Sequence, residues 1–149
     1  MELKVFRVRE GAKLPNRAHP DDAGMDLFHC PVGEATLNVP PHGSVVLPTG
    51  LKISVPKGFM LEVKNKSSIA VKKQFLVGAC VVDSGYDGEI FVNLHNVSKE
   101  WKEVLPGQKI AQAVLVPVSL PTLVEIDEDR IYDTETSRGS GALGSTGEY

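Results

Sequence analysis

Hydrophobic and polar residues alternate along much of this chain. In Leu51-Lys52-Ile53-Ser54-Val55 the apolar side chains fall on every second position, as do Phe59, Leu61 and Val63, and then Ile90, Val92 and Leu94. A repeat of two is that of a strand with one buried face. Pro40-Pro41, Pro48-Thr49-Gly50, Pro56-Lys57-Gly58, Tyr86-Asp87-Gly88 and Pro106-Gly107 interrupt these runs at short intervals and predict turns. Many short strands joined by turns predict an all-β sandwich, barrel or jelly roll. One stretch departs from the pattern. Ser67 and Ser68 can cap a helix, and Lys72 and Lys73 suit its C-terminal end, so the residues from Ser67 to Phe75 predict one short helix.

The 149 residues, 42% of them hydrophobic, suffice for one core and not for two. A single β domain over residues 1–132 is expected. Residues 133–149 turn polar and glycine-rich and are predicted to form an arm outside the core. The formal charge of −3 argues against a dedicated nucleic-acid binder, and Lys64, Lys66, Lys72 and Lys73 form the only dense basic cluster. The N-terminus has no signal-peptide core, and no apolar run approaches the ~20 residues that span a bilayer. A cytoplasmic or otherwise intracellular protein is expected, with no membrane partner and with Cys30 and Cys80 as free thiols. The spacing of these cysteines and of His19, His29, His42 and His95 does not suit zinc.

Several segments could carry chemistry. The tail from Arg138 to Gly147 (RGSGALGSTG) combines glycines, hydroxyls and one guanidinium, so it is either solvent-loose or closes over an anion such as a triphosphate. Asp83 follows the apolar run Val77–Val82 and precedes Ser84-Gly85-Tyr86-Asp87-Gly88 and another strand pattern, which predicts a β-hairpin with a carboxylate at its mouth. That carboxylate either bonds the turn backbone or acts as a general base toward water. Asp26, in Asp22-Ala23-Gly24-Met25-Asp26-Leu27, is expected at a loop-to-strand turn. Lys66-Ser67-Ser68 places a cation and two hydroxyls at a predicted helix N-terminus, where phosphates bind or an ordinary cap forms. Gln112 is an amide within an apolar strand, and its side chain must find a protein or ligand partner.

Taken in order, AGMDL, KSSIA, VVDSGYDGEI, PGQKIAQ and RGSGALGSTG span nearly the whole chain and closely resemble the five motifs of the trimeric dUTPase family. The resemblance implies a jelly-roll homotrimer with active sites at subunit junctions, each closed by the arm of another subunit. It implies hydrolysis of dUTP to dUMP and pyrophosphate with Mg²⁺ on the triphosphate, which limits uracil in DNA and supplies dUMP for dTMP synthesis. By the same resemblance Asp83 activates the attacking water and Tyr86 packs on deoxyribose, leaving no room for a 2′-hydroxyl. The backbone of Gly78, Ala79, Cys80 and Val81 reads uracil. Lys66, Ser67, Ser68 and Gln112 contact phosphates, Asp26 bonds near metal-bound waters, and Arg138, Leu143, Gly144 and Ser145 belong to the closing arm.

Four positions depart from the family pattern, among them Ala142, where glycine is common. Lys66 stands where an arginine is usual, which replaces a bidentate fork with a point charge. Cys80 replaces a glycine of the base-reading strand. Leu143 replaces the arm's aromatic residue and lacks a ring to stack. These changes leave open a modified deoxyuridine triphosphate as substrate, or a relative that works through a regulatory protein partner. The related dCTP deaminase branch is a further alternative, for which Glu89 is the nearest candidate acid/base group.

Overall fold

The computed structural model describes residues 1–142. Contacts gather the chain into two units, Met1–Ser119 and the segment from Leu120 onward. The first unit is all-β. It contains β1 (Lys4–Arg7), β2 (Met25–Phe28), β3 (Leu37–Val39), β4 (Ser44–Pro48), β5 (Leu51–Ser54) and β6 (Phe59–Lys64). These are followed by β7 (Phe75–Val77), β8 (Val81–Val82), β9 (Phe91–Asn96), β10 (Lys102–Val104) and β11 (Lys109–Pro117). All pairings are antiparallel, in the orders β2-β11-β6-β8, β4-β9-β7, β1-β5 and β10-β3. This is the expected jelly roll. Among the described residues no helix is long and apolar enough to cross a membrane.

The period-two pattern builds the core. Ile53 and Val55, then Leu61 and Val63, then Ile90, Val92 and Leu94 are buried and pack with Leu27, Leu47, Phe75 and Ile110 in one cluster, while Leu51 packs with Ala12 and Cys30 in a second. Each such side chain contributes roughly 1.5–3 kcal/mol through removal from water. Asn96 closes the end of β9 from inside. Its Nδ2 donates to the carbonyls of Val39, Pro40 and Glu100 at 3.1, 2.9 and 2.7 Å, while its Oδ1 accepts from the N–H and hydroxyl of Ser98 at 3.0 and 2.7 Å.

The predicted helix is smaller and differently built. A single wide turn of π type spans Ile69–Lys73, with Lys72 and Lys73 in its last turn as expected. Ser68 does not cap it. Its backbone is already helical (φ −66°, ψ −31°), so its hydroxyl makes no capping bond. Instead the N–H groups of Ile69 and Ala70 both donate to the Lys66 carbonyl at 2.9 Å. Gln74, in the left-handed region at φ 56°, donates to the Ile69 carbonyl and ends the turn.

Asp26 lies inside β2 rather than at a turn, and it is 4% exposed. Met25 and Leu27 face the core, so alternation turns Asp26 to the opposite face, against Gln112 of β11. The β11 register slips between Lys109 and Ala111. This bulge lets Ile110 and Ala111 both be buried, and it returns Lys109 to the face of Asp26. Lys66 Nζ stands 2.8 Å from Asp26 Oδ1, and Lys109 Nζ 2.7 Å from Oδ2. Burial alone would raise the Asp26 pKa, but hydrogen bonds from Lys109 and Lys66 outweigh it and hold the carboxyl below its ordinary value.

In the second unit, the described residues contain a short 3-10 turn, Glu128–Arg130, and no strand. Leu120, Leu123 and Val124 precede the predicted polar boundary at 132/133 and are exposed.

Two stability outcomes follow from these buried polar groups. Asn96→Ala strands several partners at once and lowers the unfolding free energy by about 3 kcal/mol, read from the urea midpoint at fixed protein concentration. A carboxyl with a depressed folded pKa contributes stability above its unfolded pKa of about 4, and that stability is lost as pH falls through the lower folded value. Asp26→Asn is therefore less stable than the wild type at pH 7, by about 3 kcal/mol, because two lysines lose their shared counter-charge. Its midpoint also declines less steeply below about pH 4 in a pH series of urea titrations.

Candidate functional site

The apolar run from Val77 to Val82 does not form the simple hairpin its pattern predicts. Val77 ends β7, which pairs with β9, whereas Val81 and Val82 form β8 and pair with Glu62 and Leu61 of β6. The chain thus changes sheets across Gly78, Ala79 and Cys80. Gly78 N–H donates to the Asn93 carbonyl at 2.9 Å on the departing side, and Val63 N–H donates to the Cys80 carbonyl at 2.7 Å on the arriving side. Phe75, Val77 and Val82 all pack on the same core, the first two from the sheet of β9 and the last from the sheet of β6.

Beyond β8 the chain turns tightly. Tyr86 N–H donates to the Asp83 carbonyl at 3.3 Å, with Gly85 at φ 89°, the sign a type II turn requires at its third residue. Asp83 is exposed. Tyr86 is 49% exposed, yet its ring is held: its hydroxyl donates to the Glu89 carbonyl at 3.0 Å, and a Cβ at Gly88 would overlap the ring. The crossover, the turn and the start of β9 enclose a cavity of about 210 Å³. Ala79, Cys80, Val81, Val82, Asp83, Tyr86, Glu89 and Phe91 line it, so six residues singled out from the sequence meet in one hollow. A larger groove of about 550 Å³ runs along β1 and β5 on the other side of the turn and shares Tyr86.

Glu89 at the cavity wall is not free for acid–base work. Arg9 grips it with two hydrogen bonds of 2.6 Å, and Gly50 N–H donates to it at 2.7 Å. Burial pushes its pKa up, but the bonds from Arg9 and Gly50 prevail and hold it below the ordinary value. It is a structural anion, which removes it as the general acid/base group a deaminase would need.

A second polar cluster gathers around Asp26. Gln112 finds a protein partner, donating from Nε2 to the Asn65 carbonyl at 2.9 Å, while its Oε1 lies where a Cβ at Gly24 would sit. Asn65 in turn accepts the Val77 N–H at 2.7 Å and fastens the start of the crossover. Ser67 and Ser68 are exposed just beyond Lys66. The basic cluster read from the sequence is divided, because Lys66 serves Asp26 and Lys64 pairs with Glu62 at 2.7 Å. The cavity lining includes none of Lys66, Ser67, Ser68 or Gln112. In the second unit Arg138 is exposed, and its Nε donates to the Gly141 carbonyl at 3.1 Å. Leu143, Gly144 and Ser145 lie outside the described residues.

Sequence reasoning passed over Asn65, Lys109, Arg9 and Asn93. Lys109 lies within PGQKIAQ and Asn65 adjoins KSSIA, and a polar residue in or beside such a motif was the available signal. Arg9 carried none, since it lies 80 positions from its partner Glu89.

Known proteins resemble this chain along nearly its whole length. A family model described as dUTPase matches residues 10–147. The deoxyuridine 5′-triphosphate nucleotidohydrolase of Gloeothece citriformis is 39% identical over 149 residues, covering 99% of this chain and 97% of the relative. The protein of the same name from Clostridium novyi is 40% identical, covering 99% of each. The structure of a Staphylococcus bacteriophage 80alpha dUTPase with dUPNHPP superposes with a TM-score of 0.83 at 25% identity, covering 98% of each chain. With the family model covering both the cavity and the Asp26 cluster, the chain belongs to the dUTPase family.

Proposed function

We propose that this protein hydrolyses dUTP to dUMP and pyrophosphate. The observation that carries the reading is the 210 Å³ cavity with the Asp83 carboxylate at its rim, a fixed Tyr86 ring as one wall, and a strand crossover as its floor. A pyrimidine entering the cavity meets backbone groups of Ala79, Cys80 and Val81, which discriminate by pairing. A base with the wrong donor pattern leaves a buried polar group unpaired, at a cost of roughly 1–3 kcal/mol. The Tyr86 ring gives deoxyribose a flat face and leaves a ribose 2′-hydroxyl no room.

Asp83 takes a proton from water as its oxygen bonds to the α-phosphorus, and the bond from that phosphorus to the bridging oxygen breaks to release pyrophosphate. Asp83 is exposed, which leaves it open to a water. Ser67, Ser68 and the Gln112 region supply phosphate contacts, with Lys66 a cation already oriented by Asp26. Because these residues lie outside the cavity lining, a homotrimer is proposed to bring the phosphate cluster of one subunit to the base cavity of another. The arm, through Arg138 and residues 143–145, then closes such a site and keeps out bulk water.

Mg²⁺ fits this donor set as an ion carried in by the triphosphate. Among the described residues no three His, Cys, Asp or Glu side chains gather to hold a metal, and both oxygens of Asp26 face lysines. When bound with the triphosphate it would supply charge neutralisation there, since Mg²⁺ favours phosphate and water oxygens over a dedicated protein cage.

The test is release of pyrophosphate and monophosphate from dUTP, dCTP, dTTP, UTP and a 5-substituted deoxyuridine triphosphate, with Asp83→Asn alongside. Selective dUMP formation is expected, with kcat in the variant reduced by about 10³-fold and KM little changed. Turnover of another nucleotide alone would overturn the substrate assignment. Inactivity on all five would overturn hydrolysis and favour a role through a regulatory protein partner.

A further inference from the structure

The crossover from Gly78 to Cys80 belongs to no named strand, yet two of its residues, Ala79 and Cys80, line the cavity. One side chain fastens it from behind. Asn93, in the middle of β9, accepts the Ala79 N–H on Oδ1 at 3.3 Å and donates from Nδ2 to the Val45 carbonyl of β4 at 3.2 Å. These two bonds set the orientation of the amide, acceptor toward the crossover and donor toward β4. Its own carbonyl accepts the Gly78 N–H at 2.9 Å. The contact is close: a Cβ at Gly78 would overlap Asn93 Oδ1 and His95 Nε2, so the backbone lies directly on these two side chains. With Ala79 N–H taken by Asn93 and the Cys80 carbonyl by Val63, the Ala79 carbonyl and the Cys80 N–H have no hydrogen-bond partner among the described residues.

We propose that Asn93 is a positioning residue for base recognition, holding the crossover so that its free peptide groups keep one place in the cavity. The assignment rests on the dUTPase reading and deepens it. Asn93 touches no substrate and lies outside the cavity lining. It acts on the peptide that does. A ladder bond could not replace it, because at Ala79 the chain has already left β9 and not yet reached β6. A side chain able to reach across that gap does what the main chain cannot.

The test uses the full chain. In the wild type, hydrogen exchange is expected to be slow at the Ala79 amide and faster at Cys80. In Asn93→Ala the Ala79 amide exchanges at least about tenfold faster, KM for dUTP rises by about tenfold, and the preference for dUTP over dCTP falls by a similar factor, while kcat changes less than about threefold. Asn93→Asp keeps the acceptor for Ala79 and recovers most of the KM and the preference. Asn96→Ser, on the same strand but away from the crossover, lowers Tm without moving either. Rapid exchange at Ala79 in the wild type would overturn the proposal and needs no variant to fold. So would a folded Asn93→Ala with unchanged KM and preference, or one that loses kcat alone. Failure of the wild type to hydrolyse dUTP would instead sink the dUTPase reading, leaving the exchange data to decide whether Asn93 holds the crossover.

Discussion

The change of sheet between Val77 and Val81 is the constraint on which the candidate site depends. A strand that stayed with β9 would bury its polar backbone in a ladder and leave no hollow beside it. By leaving β9 and joining β6, the chain opens a cavity floored by peptide groups that the ladders do not consume. Everything else in the site is arranged around that departure. Asn65 fastens the last residue of β7, Asn93 fastens the gap, and Val63 receives the far end.

The second constraint is electrostatic. A carboxylate as buried as Asp26 cannot stay ionised without partners, and the β11 bulge supplies one of its two lysines by turning Lys109 to the same face. The other, Lys66, comes from the loop after β6. The arrangement joins β2, β11 and the serine-bearing turn through one anion. It also gives Lys66 a definite task as one of the two partners of that anion, since an ammonium needs only one good acceptor. Glu89 is treated the same way by Arg9 and Gly50, and the two carboxylates brace opposite parts of the chain while Asp83 stays open to water.

Rigidity and exposure stand side by side in this frame. The Tyr86 ring is held by its hydroxyl bond to the Glu89 carbonyl with the bare Gly88 beneath it. The Asp83 carboxylate meets solvent, and the tight turn at Gly85 lifts it clear of the strands. Cys80 lines the cavity and belongs to neither core cluster, so a side chain at this position bears on the shape of the cavity rather than on the core.

Alternation and turn residues determined the β architecture by themselves, because period-two burial and proline–glycine punctuation are local properties that survive in any strand arrangement. That Asp83 and Tyr86 share a turn was legible too, since they lie close along the chain, but the local pattern predicted a hairpin where the chain changes sheets. What only tertiary structure decided was pairing. Nothing local states that Val81 abandons β9 for β6, that a bulge carries Lys109 to Asp26, or that Arg9 meets a glutamate 80 residues away. The serines before Ile69 looked like caps, but the loop had already entered helical geometry and left their hydroxyls exposed. Strand propensity is written in each residue, whereas the partner of a strand or a charge depends on which faces the whole core has already claimed.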